Sequence, residues 1–93
     1  MIRSFADRAT ERFFREGHCL ARWRGFEATA LRKLDMVDAA TGLADLRSPP
    51  GNRLESLKGD RAGQHSIRIN RQWRVCFRWT PNGPEDVEIV DYH

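Results

Sequence analysis

Residues 73–79 read Trp-Arg-Val-Cys-Phe-Arg-Trp, so that Trp73, Val75, Phe77 and Trp79 alternate with Arg74, Cys76 and Arg78. A period of two sends successive side chains to opposite faces of a strand, and this segment therefore predicts a β-strand with one large apolar face and one cationic face. The segment before it repeats the pattern, Ile67 and Ile69 alternating with Ser66, Arg68 and Asn70, and Asn70-Arg71 stands where a tight turn would join the two as a hairpin. A last strand is expected over 87–92, after the turn signal Pro81-Asn82-Gly83-Pro84, and a short opening strand from Ile2 to Phe5.

Upstream of Arg47-Ser48-Pro49-Pro50-Gly51-Asn52, where two prolines and a glycine interrupt regular structure, the period is helical. Asp7 to Glu16 predicts a helix, with Asp7 as cap, Ala9, Phe13 and Phe14 as apolar face, and Gly17 as the left-handed residue that ends it. A second helix is expected over 25–40, where Phe26, Ala30, Leu34 and Val37 form one stripe and Thr41-Gly42 stops it. The opposite side, with Arg32, Lys33 and Asp35, reads as a solvated surface. Sequential strands joined by short turns pair antiparallel, and 93 residues hold one core. The expectation is a single α+β domain over residues 1–93, two N-terminal helices packed on one face of a twisted antiparallel sheet. Arg68, Arg74 and Arg78 are then left on its open face.

Fourteen of the 16 basic residues are Arg, and only Lys33 and Lys58 are Lys. Arg makes planar bidentate contacts to phosphate and stacks on bases, which points to nucleic acid; a genome rich in Arg codons accounts for the same count. The net charge of +3 hides a segregation. Residues 47–78 hold eight Lys and Arg against Glu55 and Asp60, whereas Glu85, Asp86, Glu88 and Asp91 follow Pro81 without a cation. Charge alone leaves an RNA-binding face and a solvated face paired with the acidic tail equally open. Cys19 and Cys76 are too few and too far apart for a disulfide scaffold or a zinc site, and no metal or cofactor is expected. No apolar run approaches the roughly 20 residues that span a bilayer, and the start lacks a signal-peptide core, so a cytoplasmic protein with no membrane partner is expected.

Two further features carry chemistry. Asp91-Tyr92-His93 brings together a carboxylate, a phenol and an imidazole, groups that accept protons, stack on bases and exchange protons near neutral pH. Read alone, such a triplet is also what a frayed terminus looks like. Lys58 is the one lysine of the strand-rich half, within Leu54-Glu55-Ser56-Leu57-Lys58-Gly59-Asp60-Arg61, and is a candidate acid or base.

The run from Arg53 to Gly63, then Ser66-Ile67-Arg68-Ile69-Asn70, then Gln72-Trp73-Arg74-Val75-Cys76-Phe77, and the closing Asp91-Tyr92-His93 resemble the HigB toxins of the RelE/ParE superfamily. The resemblance spans nearly the whole chain. It implies the RelE-like fold and the toxin of a type II toxin–antitoxin pair: a ribosome-dependent, metal-independent endoribonuclease that cuts mRNA in the A site by attack of the 2′-hydroxyl on the adjacent phosphate. It further implies that Lys58 and Arg74 stabilise the phosphorane, that Asp91 or His93 handles protons, and that Tyr92 stacks a base. Arg53, Arg68 and Arg78 are expected to bind the RNA backbone. Some members have a histidine three residues before the lysine; here that position is Glu55, which leaves donor and acceptor open. The implied partners are a helix-turn-helix antitoxin, HigA-like, together with the ribosome and mRNA. Two rival readings are a ParE-like toxin that poisons gyrase without nuclease activity, and a plain RNA-binding module.

Overall fold

The computed structural model describes residues 1–91. Helix α1 spans Arg8–Glu16, with the Asp7 side chain accepting from the Thr10 N–H and Gly17 in the left-handed conformation (φ 75°) at its end. Helix α2 spans Glu27–Ala39 and is entered through a 3-10 turn over Ala21–Phe26, so its regular hydrogen bonding starts after Phe26 rather than at Gly25. Strands β1 (Glu55–Ser56), β2 (His65–Arg68), β3 (Trp73–Thr80) and β4 (Gly83–Asp91) form one antiparallel sheet in sequence order. The Pro-rich segment is two 3-10 turns, Leu43–Arg47 and Pro50–Asn52.

The register fixes the two faces. His65 pairs with Phe77, Ile67 with Val75 and Val75 with Ile89, and of these Ile67, Val75, Phe77 and Ile89 belong to the core shared with the helices. Phe13 of α1, Trp23, and Ala30, Leu34 and Val37 of α2 are buried against Ile67, Ile69, Val75, Phe77, Val87 and Ile89. Each large side chain buried in this way contributes roughly 1.5–3 kcal/mol. Thr10, which the helical pattern did not mark as apolar, is fully buried because its hydroxyl accepts the Ile89 N–H at 3.1 Å and so docks α1 on β4.

Two expectations need correction. Ile2 to Phe5 is not a regular strand; it runs parallel to β4 through a single bridge, Phe5 with Val87, supported by Val87 N–H to Ser4 O at 3.1 Å and Ala6 N–H to Val87 O at 3.0 Å. Also, β4 starts at Gly83 rather than Val87 and carries a bulge: Cys76 pairs with Glu88 but Arg78 pairs with Glu85, so Asp86 and Val87 both oppose Phe77. Asp86 takes φ +53° there, and its N–H donates to Ser4 Oγ at 2.9 Å. The bulge lies where the N-terminal segment joins the sheet edge.

Candidate functional site

On the face away from the helices, Arg68 of β2 stands directly opposite Arg74 of β3. Like charges in that position repel and weaken a sheet. Both side chains are nevertheless held in place, and mostly by neutral oxygens. Arg68 Nε donates to Asn70 O at 3.0 Å; Arg74 Nε donates to Ser66 Oγ at 2.7 Å, and its Nη2 to Arg53 O at 2.6 Å. The carboxylate closest to balancing the pair is Glu55, half exposed, with Oε1 at 3.8 Å from Arg74 Nη2. Arg53, Arg68, Asn70, Arg71 and Arg74 line a cleft of about 290 Å³. Four guanidinium groups line it, and those of Arg68 and Arg74 are held by carbonyl and hydroxyl oxygens that leave their charge largely unneutralised, an arrangement whose chemistry suits an anion such as phosphate.

Local sequence accounts for these positions. Arg53 follows the Pro50–Asn52 turn in a left-handed conformation (φ 45°), which lets its carbonyl reach Arg74. Behind it, Asn52 is fully buried: its amide donates to Leu46 O at 3.2 Å and Ser48 O at 3.4 Å, and its oxygen accepts from Lys33 Nζ at 2.6 Å. Lys33, read from the sequence as solvated, is thus the tie between α2 and this loop; burial, more than the neighbouring Arg32 charge, lowers its pKa. At the hairpin, Asn70 Oδ1 accepts from the N–H groups of Gln72 and Trp73, both at 2.8 Å, and the turn places Asn70 and Arg71 in the cleft.

The other half of this face is filled by the chain itself. Ser66 and Cys76 are fully buried and Leu57 nearly so, beneath a layer that includes Arg61, joined to Glu88 at 2.8 Å, and Arg78, whose Nε lies 3.9 Å from Asp86. Burial pushes the Cys76 thiol up to about 11, with Glu88 and Glu55 adding to the shift and Arg61 and Arg74 opposing it, so Cys76 is a packed side chain and a poor nucleophile.

The predicted site residues therefore separate into groups. Arg53, Arg68 and Arg74 share the cleft, with Glu55 at its margin. Arg78 is on the same face but stands at the far end of β3 beside Asp86. Lys58 is exposed where the chain leaves β1, opening the turn over Gly59–Arg61. Asp91 pairs with Trp73 and is in phase with Ile89, on the helix side of β4; Gln72 Nε2 donates to its Oδ2 at 2.9 Å, which ties it to the same hairpin turn that lines the cleft. Tyr92 and His93 lie outside the described residues. His65 stacks on Phe77 and has Nε2 3.1 Å from Ser56 Oγ. Sequence reasoning missed Arg71 and Asn70 as cleft residues and Asn52 as the anchor behind them; the available signal was that Arg71 adjoins a strand whose outward residues are already arginines. Among the described residues, no group of three His, Cys, Asp or Glu side chains could hold a metal ion.

A family profile described as the RelE-like toxin of type II toxin-antitoxin system HigB matches residues 3–93. The chain is 42% identical over 81 residues to Toxin HigB-1 of Vibrio cholerae, covering 85% of this chain and 84% of that one. It is 33% identical over 61 residues to Endoribonuclease HigB of Proteus vulgaris, covering 66% and 65%. Two solved structures share the fold. One is a chain of the YoeB-YefM complex from Staphylococcus aureus, with TM-score 0.58 and 18% identity over 100% of this chain and 95% of that one. The other is the YoeB/ParE toxin from Agrobacterium tumefaciens, with TM-score 0.51 and 22% identity over 99% and 96%. From sequence and fold together, the chain belongs to the HigB-like family of RelE-like toxins of type II toxin–antitoxin systems.

Proposed function

We propose that this toxin is an endoribonuclease that cuts translated mRNA in the ribosomal A site without a metal. The observation that carries the reading is the cleft in which Arg68 and Arg74 face each other across the sheet, with Arg53 and Arg71 beside them. A phosphate seated there relieves a repulsion that the folded chain otherwise retains. The relative named an endoribonuclease supports the same reading.

The reaction is a transesterification. The 2′-hydroxyl oxygen bonds to the adjacent phosphorus and loses its proton to a base, the bond from phosphorus to the 5′-oxygen breaks, and an acid protonates that oxygen. The products are a 2′,3′-cyclic phosphate and a 5′-hydroxyl. In this proposal Arg74 and Lys58 neutralise the charge that builds on the phosphorane, and Arg53 and Arg68 hold the backbone on either side. Arg78, at the far end of β3, takes a flanking phosphate. Asp91 or His93 handles the protons, and Tyr92 stacks a base; Glu55, beside Arg74, is the alternative proton carrier. The partner is a helix-turn-helix antitoxin of HigA type, and toxin and antitoxin are proposed to meet in the cytoplasm. Among the described residues no helix is long and apolar enough to cross a membrane.

Brief expression followed by primer-extension mapping of mRNA 5′ ends tests the reading. Codon-aligned cuts that vanish with Lys58→Ala, with Arg74→Ala and on removal of His93 support it. Intact mRNA accompanied by DNA damage refutes it in favour of gyrase poisoning.

A further inference from the structure

Between β1 and β2 the chain forms a loop over residues 57–64, closed at its base by Leu57 N–H to Gln64 O at 2.9 Å. Inside it, Arg61 N–H donates to Lys58 O at 3.3 Å, Ala62 N–H to Gly59 O at 3.0 Å and Gln64 N–H to Arg61 O at 3.0 Å. Such a hairpin loop is free to project into solvent. This one lies down across the sheet instead, for two separate reasons. Arg61 reaches past β2 and β3 to β4, where Nη1 meets Glu88 Oε1 at 2.8 Å while also contacting Gln64 Oε1 at 3.1 Å. Further along, Gly63 (φ +90°) lies so close under Arg78 that a Cβ there would sit 2.7 Å from Arg78 Nη1. Leu57 and Cys76 are buried beneath. The Arg61–Glu88 pair is mostly shielded, with side chains 30% and 22% exposed, so it is less weakened by water than a surface pair.

We infer that Arg61 is a positioning residue: its pairing with Glu88 clamps the 57–64 loop against the sheet and fixes the backbone from which Lys58 extends. The inference rests on the proposal that Lys58 acts on RNA. Lys58 is exposed, and its carbonyl accepts from the Arg61 N–H, so the clamp and the lysine belong to one short turn. A lysine on an unclamped loop samples many positions, and a cation acts on a transition state only while it is held in range of it. Arg61 and Glu88 do not touch the cleft of Arg53, Arg68, Asn70, Arg71 and Arg74. Their contribution to the reaction passes through Lys58.

The test uses the full chain on programmed ribosomes, measuring single-turnover message cleavage against toxin concentration. Arg61→Ala and Glu88→Gln each lower the maximal rate about tenfold while the half-saturating concentration stays within about twofold, and Arg61→Lys recovers most of the rate. In a Lys58→Ala background the same changes have less than about a twofold effect, because the group they position is gone. Full additivity with Lys58→Ala, a weakened half-saturation in place of a slower maximal rate, or an unchanged rate would each overturn the inference. Hydrogen exchange of the 58–63 amides gives a reading independent of activity. Arg61→Ala speeds exchange there and Lys58→Ala does not; retained protection in Arg61→Ala refutes the clamp. Should the wild-type toxin leave RNA intact, the proposed function fails, and the exchange experiment still decides whether the loop is clamped.

Discussion

Arg74→Lys keeps the charge at the centre of the cleft and removes the fork that carries it. Arg74 uses two nitrogens at once, Nε on Ser66 Oγ at 2.7 Å and Nη2 on Arg53 O at 2.6 Å, and a single ammonium on a flexible stem cannot reproduce both. Each hydrogen bond from a charged donor contributes about 1.5–3 kcal/mol, and with the side chain only 11% exposed, water replaces little of the lost one. The ammonium can swing away from Arg68, which returns up to about 1 kcal/mol of cross-strand repulsion. The net destabilisation comes to about 1–2 kcal/mol, which a domain of ordinary stability survives. Cleavage should suffer more than folding. Under the proposed function the fork sets the donors that meet the phosphate, and misplacing them is expected to lower the single-turnover rate about 10- to 100-fold. Urea denaturation and ribosome-programmed cleavage on the same preparation read both quantities. A lysine variant that cuts at the wild-type rate would refute the reasoning, since charge alone would then suffice. A loss of stability above about 4 kcal/mol, with the folded fraction fully active, would make Arg74 a structural residue.

Asn52→Ala strands a half-buried ammonium on Lys33 and two carbonyls, and should lower the unfolding free energy by about 3 kcal/mol; chemical denaturation showing less than about 1 kcal/mol contradicts the anchor role. Cys76 titrates near 11 when folded against an ordinary 9.0, so the unfolded chain loses this proton first. Its contribution is intact below pH 9 and declines by roughly 2–3 kcal/mol as pH rises from 9 to 11; Cys76→Ala should remove that decline, and parallel stability curves across the window would rule it out. Arg71→Ala should weaken binding of a single-stranded RNA oligonucleotide and reduce the slope of log K against log salt by about 0.7, while an unchanged slope would place Arg71 off the RNA path.

What the sequence disclosed was whatever had a period or a cap. The Trp73 to Trp79 alternation located β3 and its two faces, and Asp7 and Gly17 bounded α1, because each of these signals lies within a few residues of its effect. The two-residue β1, flanked by a Pro-Gly turn and a loop, is too short to show a period, and the 3-10 entry to α2 has none that separates it from the helix. The bulge in β4 was hidden for the opposite reason: it breaks a period and leaves no residue type that demands it. At the site, Arg53, Arg68 and Arg74 were legible from strand phase and family motif. Lys33 was misread, because its partner Asn52 is 19 positions away on a loop whose path the local pattern does not determine.

Glu85 and Glu88 are three positions apart, an odd interval that in an uninterrupted strand directs them to opposite sides of the sheet. Because Asp86 and Val87 together face Phe77, both acids instead lie on the arginine side, one across from Arg78 and the other clasping Arg61, while Val87 stays in the core. Parity in β4 therefore apportions charge between the faces. Were Asp86 paired as an ordinary strand residue, the strand would turn over from that point: Glu88 would be driven into the apolar layer against α1, and Val87 would emerge among the guanidiniums. Asp86→Val, whose branched side chain resists the positive φ of the bulge, is expected to lower the midpoint of the thermal transition, whereas Asp86→Gly, which suits that φ, leaves it in place. The bulge in β4, as much as the identity of its residues, determines which side of this toxin is acidic.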